Sequence, residues 1–207
     1  MKWLQIPLGP MQTNCYLLYN QGKDCIIFDP GEQGLDLNKF LKNEGFSPLA
    51  IVMTHAHFDH IGAVDLVRDE WEIPVYIHTL ESEWLKSPEL NGSARYGANI
   101  AARTADYLLS QEEPLKIGTF KLHVLHTPGH SPGSISYYSK EANALFGGDT
   151  LFDGSIGRTD LPGGNHEQLL SSIKTKLFTL PESTEVLPGH GPATTIKKEK
   201  ESNPFLI

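Results

Sequence analysis

The sequence predicts an α/β domain of two β-rich layers packed face to face, with helices over both outer sides. Three observations lead there. Short apolar, strand-like runs recur along the whole chain, with helical patterns set between them. In each half the strands come first and a helix follows. The strands repeatedly end in loops rich in histidine and aspartate, and strand ends are where α/β proteins keep their chemistry.

The chain has 207 residues, 39% hydrophobic and 20% charged, enough for one well-buried core, and residues 1–207 read as a single domain. The formal net charge is -8. The one basic cluster, Lys197, Lys198 and Lys200, is broken by Glu199 and Glu201, so no nucleic-acid partner is expected. Nothing approaches a membrane-spanning run, and no apolar leader follows Met1-Lys2-Trp3, so no membrane partner is expected and a cytoplasmic location is. The two cysteines, Cys15 and Cys25, fall on neighbouring strands without metal-ligand spacing and read as buried free thiols.

Leu4 to Leu8, Asn14 to Tyr19 and Asp24 to Phe28 read as strands, the last two joined by a turn at Asn20-Gln21-Gly22-Lys23. Asp29-Pro30-Gly31 stops the sheet, and Asp29 reads either as a partner for a metal-binding histidine or as a turn former. Asp36 to Asn43 is a helix with Leu37, Phe40 and Leu41 on one face, closed by Gly45. Leu49 to Met53 is a strand, Ala63 to Trp71 a helix with Val64, Val67 and Trp71 aligned, and Pro74 to Ile77 a strand closed by a structural His78. Thr79 reads as the N-cap of a helix, with Glu81 and Glu83 near its positive end. Residues 87–109 show no clear period, and a long insertion beside strand ends suits the cover of a pocket.

From Leu115 strands resume. Phe120, Leu122 and Val124 alternate with Lys121, His123 and Leu125, and Ile135–Tyr138 and Ala144–Phe146 form a hairpin. Residues 153–164 read as a glycine-rich loop holding Arg158. Asn165 to Phe178 is a helix with Asn165 and Gln168 at capping-box spacing. Thr184 to Leu187 is the last strand, and Thr195 to Glu201 adds a polar helical turn or two.

The chemistry centres on Thr54-His55-Ala56-His57-Phe58-Asp59-His60, which follows the apolar run Leu49 to Met53. Three imidazoles and a carboxylate fall within six residues, a density that packing does not require. His55 and His57, two apart in extended backbone, point the same way. Further strands end in His130 (within Thr127-Pro128-Gly129-His130-Ser131), in Asp149 (Gly147-Gly148-Asp149) and in His190 (Leu187-Pro188-Gly189-His190-Gly191). Imidazole and carboxylate without thiolate suit zinc, iron or manganese.

These four blocks, in this order, resemble the metallo-β-lactamase superfamily. The resemblance implies an αββα sandwich of two mixed β-sheets and a centre of two divalent ions, zinc first, with iron or manganese also suited. It places His55, His57 and His130 on one ion and Asp59, His60 and His190 on the other, with Asp149 bridging. Within the superfamily the chain is most similar to glyoxalase II, the hydroxyacylglutathione hydrolases, and residues 155–164 resemble the short bacterial enzymes of that type. That implies hydrolysis of small acyl thioesters such as S-lactoylglutathione, with Asp59 and Asp149 as catalytic candidates. Arg158, in the glycine-rich loop just after the Asp149 strand, is a third, reaching a substrate carboxylate or pairing with Asp153 or Asp160. Residues 191–207 hold no counterpart of the helical region with which glyoxalase II grips glutathione, so weak glutathione binding or another thiol is expected. Four rival readings share the metals: a phosphodiesterase or RNase, a persulfide dioxygenase with one iron, a non-catalytic metal-stabilised module, and a β-lactamase, disfavoured by the intact His60 and Asp149.

Overall fold

In the N-terminal half, strands β1 (Lys2–Leu8), β2 (Thr13–Tyr19) and β3 (Asp24–Phe28) run as an antiparallel meander. Strands β4 (Ser47–Val52), β5 (Val75–His78) and β6 (Tyr107–Leu109) then add in parallel, giving a six-stranded mixed sheet in sequential order. The parallel additions need crossovers: helices α1 (Gly34–Glu44) and α3 (Val64–Trp71) supply the first two, and a stretch of 3-10 turns between β5 and β6 the third. The short helix α2 (Phe58–Ile61) lies between β4 and α3. This computed structural model describes residues 1–207 and divides into two compact units, Met1–Ser110 and Gln111–Ile207.

Helix α1 buries Leu37 and Leu41 and ends at Gly45, whose left-handed φ of 70° lets its N–H reach back to the Leu41 and Lys42 carbonyls. Helix α3 buries Val64 and Val67. Trp71 is only partly buried, and its indole N–H donates to Asn38 Oδ1 at 3.0 Å, tying the two helices together. Each fully buried aliphatic side chain of this core contributes about 1.5–3 kcal/mol.

The second unit holds β7 (Leu115–Ile117), β8 (Phe120–His126), β9 (Ile135–Ser139), β10 (Ala144–Gly148), β11 (Leu151–Phe152), β12 (Ser155–Ile156), α4 (His166–Thr175), β13 (Glu185–Pro188), β14 (Thr194–Thr195) and α5 (Ile196–Ser202). Its main sheet has the order β14-β13-β10-β9-β8-β7, with β10 and β13 parallel and the other pairs antiparallel. Along β8 the alternation holds: Phe120, Leu122 and Val124 are buried while Lys121 and His123 are exposed. Leu169, Ile173 and Leu177 meet Leu145, Val186 and Ile196 in one apolar cluster. Two mixed six-stranded sheets with their helices match the αββα class that the sequence predicts.

Three expectations need correction. Thr79 does not cap an α-helix: Thr79–Glu81 is a single 3-10 turn, and His78 Nδ1 accepts the Leu80 N–H in the capping role. (Residues 87–109, without a legible period in the sequence, hold a 3-10 turn at Ser93–Tyr96 and the edge strand β6.) The glycine-rich stretch after Asp149 contains the β11–β12 hairpin. Helix α4 stops at Thr175 and continues as a 3-10 turn, Leu177–Thr179, although Asn165 caps its start from Gln168 N–H as its spacing suggests.

Cys15 and Cys25 are buried free thiols. Burial pushes Cys15 well above its ordinary range, helped by the nearby Asp29, and pushes Cys25 up from 9.0 to about 12. Both are expected to resist a disulfide exchange reagent at about pH 8 in the native protein and to react fully once unfolded. The raised native value has a definite sign. Above pH 9.0 the unfolded chain releases the Cys25 proton first, so the associated stability is intact below 9.0 and falls as pH rises toward about 12. Denaturant titrations across that window check it.

Candidate metal centre

In the first unit, β4 delivers the chain into Thr54–His57, and α2 then turns Asp59 and His60 back over it. His55, His57 and His60 are all buried. The His55 ring lies 4.9 Å from His57 and 4.1 Å from His60, centroid to centroid. Gly31 makes the turn of α2 fit: a Cβ there would run into the Asp59 carbonyl oxygen.

The hydrogen bonds define which ring nitrogens carry protons. Asp29 Oδ1 accepts the Thr54 N–H at 2.8 Å, and Oδ2 accepts the Thr54 hydroxyl at 2.5 Å. Asp29 Oδ2 also faces His60 Nδ1 at 3.0 Å, so His60 donates from Nδ1. The Thr54 hydroxyl proton is committed to Asp29, so at 3.0 Å Thr54 Oγ1 accepts from His55 Nδ1. Both imidazoles are therefore Nδ1–H tautomers, with the Nε2 lone pair left for a metal. Asp29, His55 and His60 stand close enough to be read as one ligand group. Three donors already occupy the Asp29 oxygens, however, which makes it a supporting carboxylate. Its left-handed φ of 47° also makes the turn, so both readings of Asp29 hold. Asp59 Oδ2 accepts the Thr13 hydroxyl at 2.8 Å and lies 3.6 Å from His60 Nε2.

The second unit brings His130, Asp149 and His190 together. Asp149 Oδ2 lies 3.6 Å from His130 Nε2 and 3.5 Å from His190 Nε2, between the two rings. His130 Nδ1 faces the Arg158 carbonyl at 2.8 Å. A carbonyl only accepts, so His130 too carries its proton on Nδ1 and offers Nε2. Helix α4 anchors the His130 loop: Ser172 Oγ donates to Pro128 O at 2.7 Å, and Asn165 N–H to Gly129 O at 2.7 Å. Gly189 N–H donates to Gly148 O at 2.8 Å, which sets the Asp149 and His190 strand ends side by side. At Gly157 a Cβ would strike the Asp149 carbonyl oxygen and press on His130 Cβ.

The Arg158 guanidinium forks onto Asp160 at 2.8 and 2.8 Å, one of its two expected carboxylates. Asp153 pairs instead with Lys198. Sequence reasoning missed Thr13, Thr54 and Glu81, which hold the ligand loop. Their common signal is a polar residue inside or just after a strand. The fit to metal rests on donor chemistry: imidazoles and carboxylates without thiolate gather in several candidate groups of three, consistent with two divalent ions of open identity.

Fold and donors define a metal-dependent hydrolase. The family model for the metallo-beta-lactamase superfamily matches residues 8–190, and the chain belongs to that superfamily. It is 54% identical over 207 residues to a probable metallo-hydrolase of Bacillus subtilis, covering 100% of this chain and 98% of that one. It is 37% identical over 203 residues to a hydroxyacylglutathione hydrolase of Haemophilus influenzae, covering 97% and 96%. Among solved structures it is similar to BLEG-1, a B3 metallo-beta-lactamase (59% identity, TM-score 0.97, 99% of both chains), and to TTHA1623 in a di-iron-bound form (40% identity, TM-score 0.88, 98% and 100%).

Two outcomes are expected. Asp29→Asn, which turns an amide toward His60, lowers zinc affinity about 10–100-fold in chelator competition. Gly157→Ala costs about 1–3 kcal/mol of unfolding free energy, because backbone rather than a flexible side chain must yield. Wild-type affinity in the first variant would refute the supporting role of Asp29, and wild-type stability in the second would refute the close approach.

Proposed function

We propose that the protein is a two-metal hydrolase of small acyl thioesters, S-lactoylglutathione or a related thiol ester. On this reading His55, His57 and His130 hold one ion, Asp59, His60 and His190 the other, and Asp149 bridges. The observations that carry it are Asp149, with one oxygen poised between His130 and His190 in the second unit, and the complete Asp59–His60 pair in the first. That is the pattern through which the sequence resembles glyoxalase II. The full-length similarity to a hydroxyacylglutathione hydrolase supports the same substrate class.

When bound, two divalent ions supply a water of pKa roughly 7 and polarise an acyl carbonyl. The chain's own groups do the rest. Asp29, Thr54 and the Arg158 carbonyl keep His60, His55 and His130 in their metal-facing tautomer. Asp59, steadied by Thr13, holds the second ion on this reading; the role of base falls to it only in a one-metal centre. A thiolate leaves with a pKa near ~8.5, so no strong general acid is needed. The exposed Arg158–Asp160 pair contributes little to stability, so Arg158 is open to exchange Asp160 for a substrate carboxylate. The buried free thiols suit a reducing, cytoplasmic setting. No helix is long and apolar enough to cross a membrane.

A second reading, β-lactam hydrolysis, is favoured by the 59% identity to a B3 metallo-beta-lactamase. Assaying the metal-loaded enzyme side by side on S-lactoylglutathione, a β-lactam, a phosphodiester and glutathione persulfide separates these. Thioester turnover is expected to dominate, and to fall about 10²-fold or more in Asp59→Ala, His60→Ala and Asp149→Ala. A dominant rate on any other substrate overturns the proposal. Metal analysis is expected to find two ions per chain, and a reproducible single ion refutes the two-metal centre. Arg158→Ala is expected to raise KM for a carboxylate-bearing thioester at unchanged stability, whereas lost stability with unchanged kinetics assigns Arg158 to loop order.

A further inference from the structure

The stretch from His78 to Ile100, between β5 and β6, grips the loop around His57 on both sides. Glu81, wholly buried, accepts the Ala56 N–H on Oε2 at 2.6 Å. The Asn91 carbonyl accepts the Phe58 N–H at 3.1 Å. The amides flanking His57 are thus both held by this stretch. Trp84 lays its ring 5.7 Å from the His57 ring, and Tyr96 packs on Phe58 at 5.2 Å. The stretch is itself stiffened from within. The buried Asn91 side chain donates to Trp84 O at 3.2 Å and Ile100 O at 2.8 Å, and accepts from Ser93 N–H at 3.0 Å.

A carboxylate removed from water is costly unless donors saturate it, and Ala56 supplies one. Three other imidazoles of the site each give a ring N–H to an acceptor in their own unit: His55 to Thr54, His60 to Asp29, His130 to the Arg158 carbonyl. We infer that Glu81 plays this part for His57, accepting the N–H of one ring nitrogen and leaving the lone pair of the other for a metal ion. Glu81 is then a positioning residue that acts on the metal through His57, and the 78–100 stretch is the clamp that aims both. The consequence for metal binding rests on the two-metal reading. The state of the ring does not depend on the substrate.

The test is nitrogen NMR on metal-free, histidine-labelled protein at about pH 8, above the ordinary imidazole pKa of ~6.5. Wild-type His57 is expected as one neutral tautomer with a slowly exchanging ring N–H. Glu81→Gln conserves volume and keeps an acceptor for Ala56 N–H, but turns an amide NH2 toward the ring. It is expected to shift His57 to the opposite tautomer and to lower zinc affinity about 10–100-fold in chelator competition, with the fold retained by circular dichroism. Glu81→Ala is expected to lose affinity similarly and to leave the two tautomers mixed. An unchanged tautomer and affinity in folded Glu81→Gln overturns the inference. Where the variants do not fold, the wild-type spectrum decides alone: mixed tautomers or a rapidly exchanging ring N–H refute it. Absence of thioester turnover would sink the functional reading and leave these readouts intact, so the two failures are distinguishable.

Discussion

Much of the first unit's chemistry depends on the buried carboxylate of Asp29. Strands β3 and β4 run parallel with Phe28 opposite Val52, so the residues just past their ends, Asp29 and Thr54, are brought together. Asp29 takes the Thr54 N–H and O–H and the His60 ring N–H. Three donors offset the cost of burying the charge. Through Thr54 the same carboxylate also orients His55. One anion therefore sets the protonation pattern of two imidazoles, which a metal ligand needs and which a loop in water would leave mixed between tautomers.

The second unit reaches the same end by backbone. His130 is oriented by the carbonyl of Arg158, and its loop is fastened to the first turns of α4 through Pro128 and Gly129. Such an arrangement depends on main chain approaching main chain. Gly31 in one unit and Gly157 in the other stand where a Cβ would collide with the carbonyl of a candidate ligand, Asp59 and Asp149 respectively. The glycines are there because ligand-bearing turns pack closely on what supports them.

The metal donors alone do not choose a substrate. Similar sets serve hydrolysis of thioesters, lactams and phosphodiesters, so selectivity must come from groups around them. The segment from Thr79 to Tyr96 is well placed for that influence, because it touches the backbone on both sides of His57 and packs Tyr96 on Phe58. Arg158 offers a second handle. Its side chain is exposed while its carbonyl supports His130, so one residue links the surface to the ligand shell.

The sequence by itself determined the two-layer α/β class and most of the strands, and it singled out seven candidate donors. Periodicity and ligand density are local properties, readable in windows of a few residues, and His55 to His60 declare themselves within six positions. Gly45 and Asn165 were legible as caps for the same reason. What only the tertiary structure decided lies across long separations. Asp29 and Thr54 are 25 residues apart, as are Ala56 and Glu81, and His130 and Arg158 are 28 apart. Glu81 reads locally as a solvated acid at a helix start, and becomes a buried anchor because the chain around it forms a single 3-10 turn folded against the ligand loop. Tautomer, burial and support are set by which groups the fold brings within about 3 Å, the range of a hydrogen bond, and no local pattern encodes that distance.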